Sequence, residues 1–184
     1  MQARGSPSPI APRGARAEAA PGAASHPALA EPCRPADDRD VGGESRHLAI
    51  DPFQETRFAG CGLQLLDEAG VAARVEHRAE ESQLAIPRLL REGRRFDFAV
   101  VDGNHRFDGV FLDLVYLGRL LAPGSAVFLD DYQLPAVAKA AAFCTANLAW
   151  TLEEASAPDV HHQWAVLRTR NPPLERAFDH FVEF

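Results

Sequence analysis

Short apolar runs alternate with longer amphipathic stretches from residue 47 to the end of the chain. His47-Leu-Ala-Ile50, stopped by Asp51-Pro52, predicts a buried strand. Residues 57–69 carry Leu63, Leu65, Leu66 and Ala69, with Gly70 behind them, which predicts a helix closed by a glycine cap. Val71 to His77 predicts a second strand. Ser82 can cap a helix through Ile86, Leu89 and Leu90 that ends at Gly93; Pro87 inside it offers a later start. Phe96 to Val101 is a strand stopped by Asp102-Gly103. Residues 107–121 place Val110, Leu114, Leu117 and Leu121 on one helical face. Pro123-Gly124 predicts a turn, Ser125 to Leu129 a strand stopped by Asp130-Asp131, and Pro135 the first turn of a helix to about Asn147. Leu148 to Leu152 and Gln163 to Thr169 complete the series as strands.

Strands alternating with helices give an α/β fold. Continuously apolar middle strands imply a mostly parallel sheet covered on both faces. Only a loop separates the last two strands, so they are expected to pair antiparallel at one edge. Ligands of open α/β sheets bind beyond the carboxyl ends of the strands. Those ends carry Asp51, Asp102-Gly-Asn-His105 and Asp130-Asp131.

Composition divides the chain in two. Residues 1–46 hold seven of the 14 prolines and, after Met1, only Ile10, Leu29 and Val41 as large aliphatic residues. Such a segment cannot bury enough surface to offset its ordering entropy, so it reads as a disordered tail before a domain at 47–184. It has no apolar core of a secretory signal. The formal net charge of -7 belongs wholly to the domain, which disfavours nucleic-acid and anionic-membrane partners. No run of 18 apolar residues is present to span a membrane. Cys33, Cys61 and Cys144 form neither a zinc motif nor a disulfide framework, which fits a reducing, cytoplasmic setting.

Asp102, Asp130 and Asp131 are expected to converge at neighbouring strand ends. Three adjacent carboxylates repel unless they share a proton or a cation, and an all-oxygen set suits Mg²⁺ or Ca²⁺. The plain alternative is that each caps a helix or closes a turn. Asp51 stands where a carboxylate can accept hydrogen bonds from a ribose diol, or it simply closes a turn before Pro52. His105 faces the same crevice as Asp102 and is the candidate proton acceptor. His161 and His162 lie between the edge strands, and adjacent strand residues point to opposite faces, which disfavours joint metal binding. Arg94-Arg95 reads as a solvated loop, and Trp150 and Trp164 as core. GxGxxG, GxxxxGK[ST] and GxSxG are all absent from the sequence.

His47-Leu-Ala-Ile-Asp51-Pro-Phe-Gln54, Phe96-Asp-Phe-Ala-Val-Val-Asp102-Gly-Asn-His105-Arg-Phe-Asp-Gly-Val110, Leu120-Leu-Ala-Pro-Gly124 and Phe128-Leu-Asp-Asp131 resemble class I S-adenosylmethionine-dependent methyltransferases over roughly residues 47–170. The likeness is to the small-molecule O-methyltransferase branch. It implies a Rossmann-like sheet, mostly parallel with an antiparallel C-terminal edge strand. It implies S-adenosylmethionine as cofactor, held by Asp51 at the ribose, by Ser82 and Gln83 beside the adenine, and near Asp102. It implies Mg²⁺ at Asp102, Asp130 and Asp131, with methyl transfer to a hydroxyl of a small-molecule substrate. In sugar-modifying relatives an acidic base stands two residues beyond the first ligand; here that position is Asn104, which leaves His105 as the neighbouring candidate. The resemblance also implies a first strand and a Glu-x-Gly-x-x-x-Gly turn before His47. Gly42-Gly43-Glu44-Ser45 does not match it, so the first strand–helix unit is expected to be missing. That departure favours a second function, a non-catalytic or truncated methyltransferase-like protein; a third reading is a flavodoxin-like or NAD-type Rossmann domain, which would bind a nucleotide although its phosphate loop is missing. An exposed sheet edge would favour a homo-oligomer.

Overall fold

A computed structural model describes residues 45–170, 174 and 176–184. Residues 1–44 of the expected disordered tail, the glycines at 42 and 43 among them, lie outside the described residues. Along the described chain come β1 (His47–Ile50), α1 (Gln54–Phe58), α2 (Cys61–Glu68), a 3₁₀ turn (Ala72–Arg74), β2 (Val75–Arg78), α3 (Ser82–Arg91), β3 (Phe96–Val101), α4 (Phe107–Leu120), β4 (Leu121–Leu129), α5 (Pro135–Leu148), β5 (Thr151–Ala155) and β6 (Ala165–Arg168). No helix among them is long and apolar enough to cross a membrane.

β1 pairs parallel with β2, and β3 parallel with β4. β6 is antiparallel to both β4 and β5, which is the expected C-terminal hairpin. The pairing is divided into two sheets, β1-β2 and β3-β4-β6-β5. β1 and β3 therefore each keep an edge without a ladder partner among the described strands. A depression lined by His47, Leu48, Val75, Glu76, Arg94 and Phe96 lies where the first strands of the two sheets begin. Both sheets nevertheless share one core. Leu48 and Ile50, together with Ala99 and Val101, pack on Ile86, Leu89, Leu114, Val127 and Leu129. Helices α3, α4 and α5 supply most of that cover. Leu114, Leu129 and Leu167 are wholly buried, so cutting any of them to alanine should cost about 2–5 kcal/mol.

The opposite face corrects the expectation of a sheet covered on both sides. Side chains alternate across a strand. Ala99 and Val101 therefore enter the core while Phe98 and Val100 point away, 55% and 54% exposed. Phe128, paired beside Val100, stacks on Trp164 with ring centroids 5.7 Å apart. No described helix covers this apolar strip.

Several element boundaries differ from the sequence reading. The helix expected over 57–69 is two helices, broken where Ala59 and Gly60 both take left-handed φ values of 49° and 71°. The strand expected from Val71 starts only at Val75, after the 3₁₀ turn. Pro87 lies inside α3 rather than opening it; the burial of Ala85, Ile86 and Leu89 holds the helix together around it. Pro123-Gly124 is a bulge within β4 rather than a turn before it. The β3–β4 register shifts between Phe96 and Phe98, and Gly124 takes φ +74°. The two last strands start at Thr151 and Ala165, three and two residues later than expected.

Candidate active site

The β3–β4 ladder runs one step past its last paired strand residues, because the Asp130 amide donates to the Val101 carbonyl at 3.1 Å. That bond sets Asp102 and Asp130 side by side at the carboxyl ends of two parallel strands. Their carboxyls lie within hydrogen-bonding reach, and a shared proton or cation would relieve their repulsion. Burial, then the Asp130 charge, raises the Asp102 carboxyl from 3.8 to about 6, against the opposing pull of His105.

His105 bridges the cluster. Its Nδ1 is 3.3 Å from Asp131 Oδ2, and its Nε2 is 3.8 Å from Asp102 Oδ1. Nε2 is buried and has no hydrogen-bond partner. An imidazole oriented at one nitrogen and unsatisfied at the other is a ready proton acceptor. Asn104 does something else. Its Oδ1 accepts the Arg106 amide at 3.1 Å, and its side chain lies against Gly109, where a Cβ would come within 3.0 Å. It shapes the entry to α4.

Asp131 takes φ 51°, a left-handed conformation uncommon outside glycine. Its Oδ1 accepts Gln133 Nε2 at 2.8 Å and lies 3.6 Å from His162 Nδ1. Neither Asp130 nor Asp131 caps α5, whose N-cap is Leu134. Asp130, Asp131 and His162 bring donor atoms within 4.8 Å of one another. Sequence reasoning gave His162 no role. The available signal was the antiparallel pairing of the last strands, which returns their connecting loop to the carboxyl end of β4.

The remaining predicted residues stand apart from this cluster. Asp51 closes its own turn: Oδ1 accepts the Phe53 amide at 2.8 Å, and Oδ2 accepts Gln54 Nε2 at 2.7 Å. His77 Nε2 lies 3.0 Å from the Asp51 carbonyl, tying β2 to this strand end. Glu81, not Ser82, is the N-cap of α3. The Ser82 hydroxyl instead donates to Asp113, which is buried on α4. Gln83 Nε2 donates to Glu81. Among the described residues no hydrogen bond or ion pair joins Asp51, Ser82 or Gln83 to the Asp102 cluster. Trp150 is core, whereas Trp164 is half-buried on the bare face. Arg94 is ion-paired to Glu76 at 3.1 Å rather than simply solvated.

A protein-family profile described as a methyltransferase domain matches residues 28–132. Among solved structures, the fold is similar to the O-methyltransferase TomG of Streptomyces achromogenes, involved in tomaymycin synthesis and solved with S-adenosylmethionine. That match has a TM-score of 0.55 at 20% identity and covers 68% of this chain and 73% of the other. It is also similar to a Bacillus cereus O-methyltransferase in complex with S-adenosylhomocysteine, with a TM-score of 0.55 at 12% identity over 68% and 74%. TrmN of Thermus thermophilus matches with a TM-score of 0.50 at 17% identity; that match covers 66% of this chain but only 36% of TrmN. No curated protein sequence matches the chain.

Proposed function

Because this chain belongs to the methyltransferase-domain family, we propose that it transfers the methyl group of S-adenosylmethionine to a hydroxyl of a small molecule, with a divalent cation held by Asp102, Asp130 and Asp131. The observation that carries this reading is the strand-end cluster. Asp102 and Asp130 stand side by side, Asp102 is pushed up to about 6, and His105 Nε2 is buried 3.8 Å from Asp102 Oδ1 with no hydrogen-bond partner. Asp130 and Asp131 bring carboxylate oxygens within 4.8 Å of one another, together with His162, and Asp102 stands beside Asp130 outside that group; carboxylate oxygens suit a hard cation such as Mg²⁺, whose charge relieves their repulsion. When bound, such an ion supplies Lewis acidity to a substrate hydroxyl.

The chain's own residues do the rest. His105 Nε2 accepts the hydroxyl proton, and Asp131 beside Nδ1 stabilises the resulting imidazolium. Bound S-adenosylmethionine would supply the methyl carbon, its carbon–sulfur bond breaking as the oxygen–carbon bond forms and S-adenosylhomocysteine leaving. Displacement needs the three atoms in line, so most of the acceleration comes from positioning. Asp51 would hold the ribose diol of the cofactor by exchanging its bond from Gln54 for the ribose hydroxyls. Gln83, on the first turn of α3, would lie beside the adenine.

A second reading is favoured by one observation, the division of the sheet between β1 and β3. It holds that the chain keeps the fold without effective cofactor binding. Titration calorimetry with S-adenosylhomocysteine, with and without Mg²⁺, separates the two. Micromolar binding, about -8 kcal/mol, supports transfer; no binding by a folded chain supports the second reading. Asp102→Ala with Asp130→Ala should abolish any Mg²⁺ dependence and leave cofactor affinity nearly unchanged.

A further inference from the structure

We propose that His162 adds a nitrogen ligand to the strand-end cation site and turns its preference from Mg²⁺ towards borderline first-row ions such as Co²⁺. The inference rests on the cation site proposed above. β6 runs antiparallel to β4, with Ala165 opposite Leu129, so the loop before β6 lies at the carboxyl end of β4, where Asp130 and Asp131 stand.

That loop is tied to the acidic turn by successive bonds. The Tyr132 amide donates to the Gln163 carbonyl at 2.8 Å. The Gln163 amide donates to Gln133 Oε1 at 2.9 Å, and Gln133 Nε2 donates to Asp131 Oδ1 at 2.8 Å. Gln163 Nε2 also donates to the Pro158 carbonyl, bracing the loop from within. His162 is therefore held beside Asp131 by its neighbours' backbone, and not by its own ion pair alone. Its donor atom falls within 4.8 Å of those of Asp130 and Asp131. On the Asp102 side of the cluster His105 Nε2 is buried with no hydrogen-bond partner, 3.8 Å from Asp102 Oδ1, and it stays the proton acceptor rather than a ligand. The cluster thus offers carboxylate oxygens with the imidazole nitrogen of His162 beside them. Imidazole favours the later first-row ions, whereas Mg²⁺ prefers oxygen alone.

The test is titration of the full chain with Mg²⁺ and with Co²⁺, following heat and the visible absorption of Co²⁺. Wild type should bind Co²⁺ at least about tenfold more tightly than Mg²⁺. His162→Ala should weaken Co²⁺ about tenfold, shift its absorption band and leave Mg²⁺ affinity within about twofold. His162 is exposed, so the variant should fold, and far-UV circular dichroism checks this. His161→Ala, whose ring lies 6.0 Å from that of His162, should behave as wild type. If Co²⁺ binds and His162→Ala changes neither its affinity nor its spectrum, the inference falls while the cation site stands; His162 is then only a surface ion-pair partner of Asp131. If neither ion binds to the folded wild type, the site and the inference fall together.

Discussion

Replacing Asp113 by asparagine should stabilise the protein at neutral pH and do little in acid. Asp113 lies on α4 facing α3, 9% exposed, with the Ser82 hydroxyl on its carboxyl and Oδ1 without a partner. Burial raises that carboxyl from 3.8 to about 6, and the Ser82 bond offsets only part of the rise. A folded-state value above the unfolded one costs nothing below about pH 4, where the group is protonated in both states. The cost grows as pH rises through the interval and is complete above about pH 6. That rise corresponds to about 3 kcal/mol. Asparagine keeps the shape and an acceptor for Ser82, but its amide N–H groups need partners, which returns about 1 kcal/mol. The net gain at pH 7.5 is about 1–2 kcal/mol, a rise of roughly 4 °C in Tm for a chain of this size. Urea unfolding followed by circular dichroism at pH 4.5 and 7.5 measures it. A variant no more stable than wild type at pH 7.5, or a difference independent of pH, would refute the account of Asp113 as an uncompensated buried carboxylate.

Two further substitutions test the packing. Gly118→Ala would bring a Cβ within 2.9 Å of the Trp150 ring, which is only 5% exposed and has no room to swing; thermal unfolding should show a loss of about 1–3 kcal/mol. Phe98→Ser with Val100→Thr should reduce binding of a hydrophobic fluorescent dye, with stability changing by less than about 1 kcal/mol. Unchanged dye binding, or a large loss of stability, would mean that these side chains are covered in solution.

Much of the site was legible because it follows from local chain statistics. Phe96–Val101 and the helix that follows it are continuous apolar signals ended by an aspartate, and strand ends of a parallel sheet face one crevice. What escaped depended on tertiary context. Nothing local marks Ala59 as a left-handed residue, so the break between α1 and α2 was invisible. Pro123-Gly124 has turn chemistry, and only the partner strand shows it to be a bulge. Phe98 and Val100 are as apolar as their buried neighbours, so sequence cannot tell which face finds a helix. His162 joins the cluster through the direction of β6 relative to β4, a relation between strands rather than a property of either.

The division of the sheet also bears on how the molecule breathes. A two-stranded ladder alone is marginal in water, so β1 and β2 depend on Leu48 and Ile50 touching the shared core and on ion pairs such as Arg78–Glu92 and Arg94–Glu76. These surface pairs contribute little each. Backbone amides of β1 and β2 should therefore exchange with solvent through a partial opening that leaves β3, β4, α4 and α5 intact. Asp51 belongs to the half that opens and Asp102 to the half that stays. A ligand reaching from one aspartate to the other would tie the halves together, and its binding would register as slowed exchange in β1 and β2.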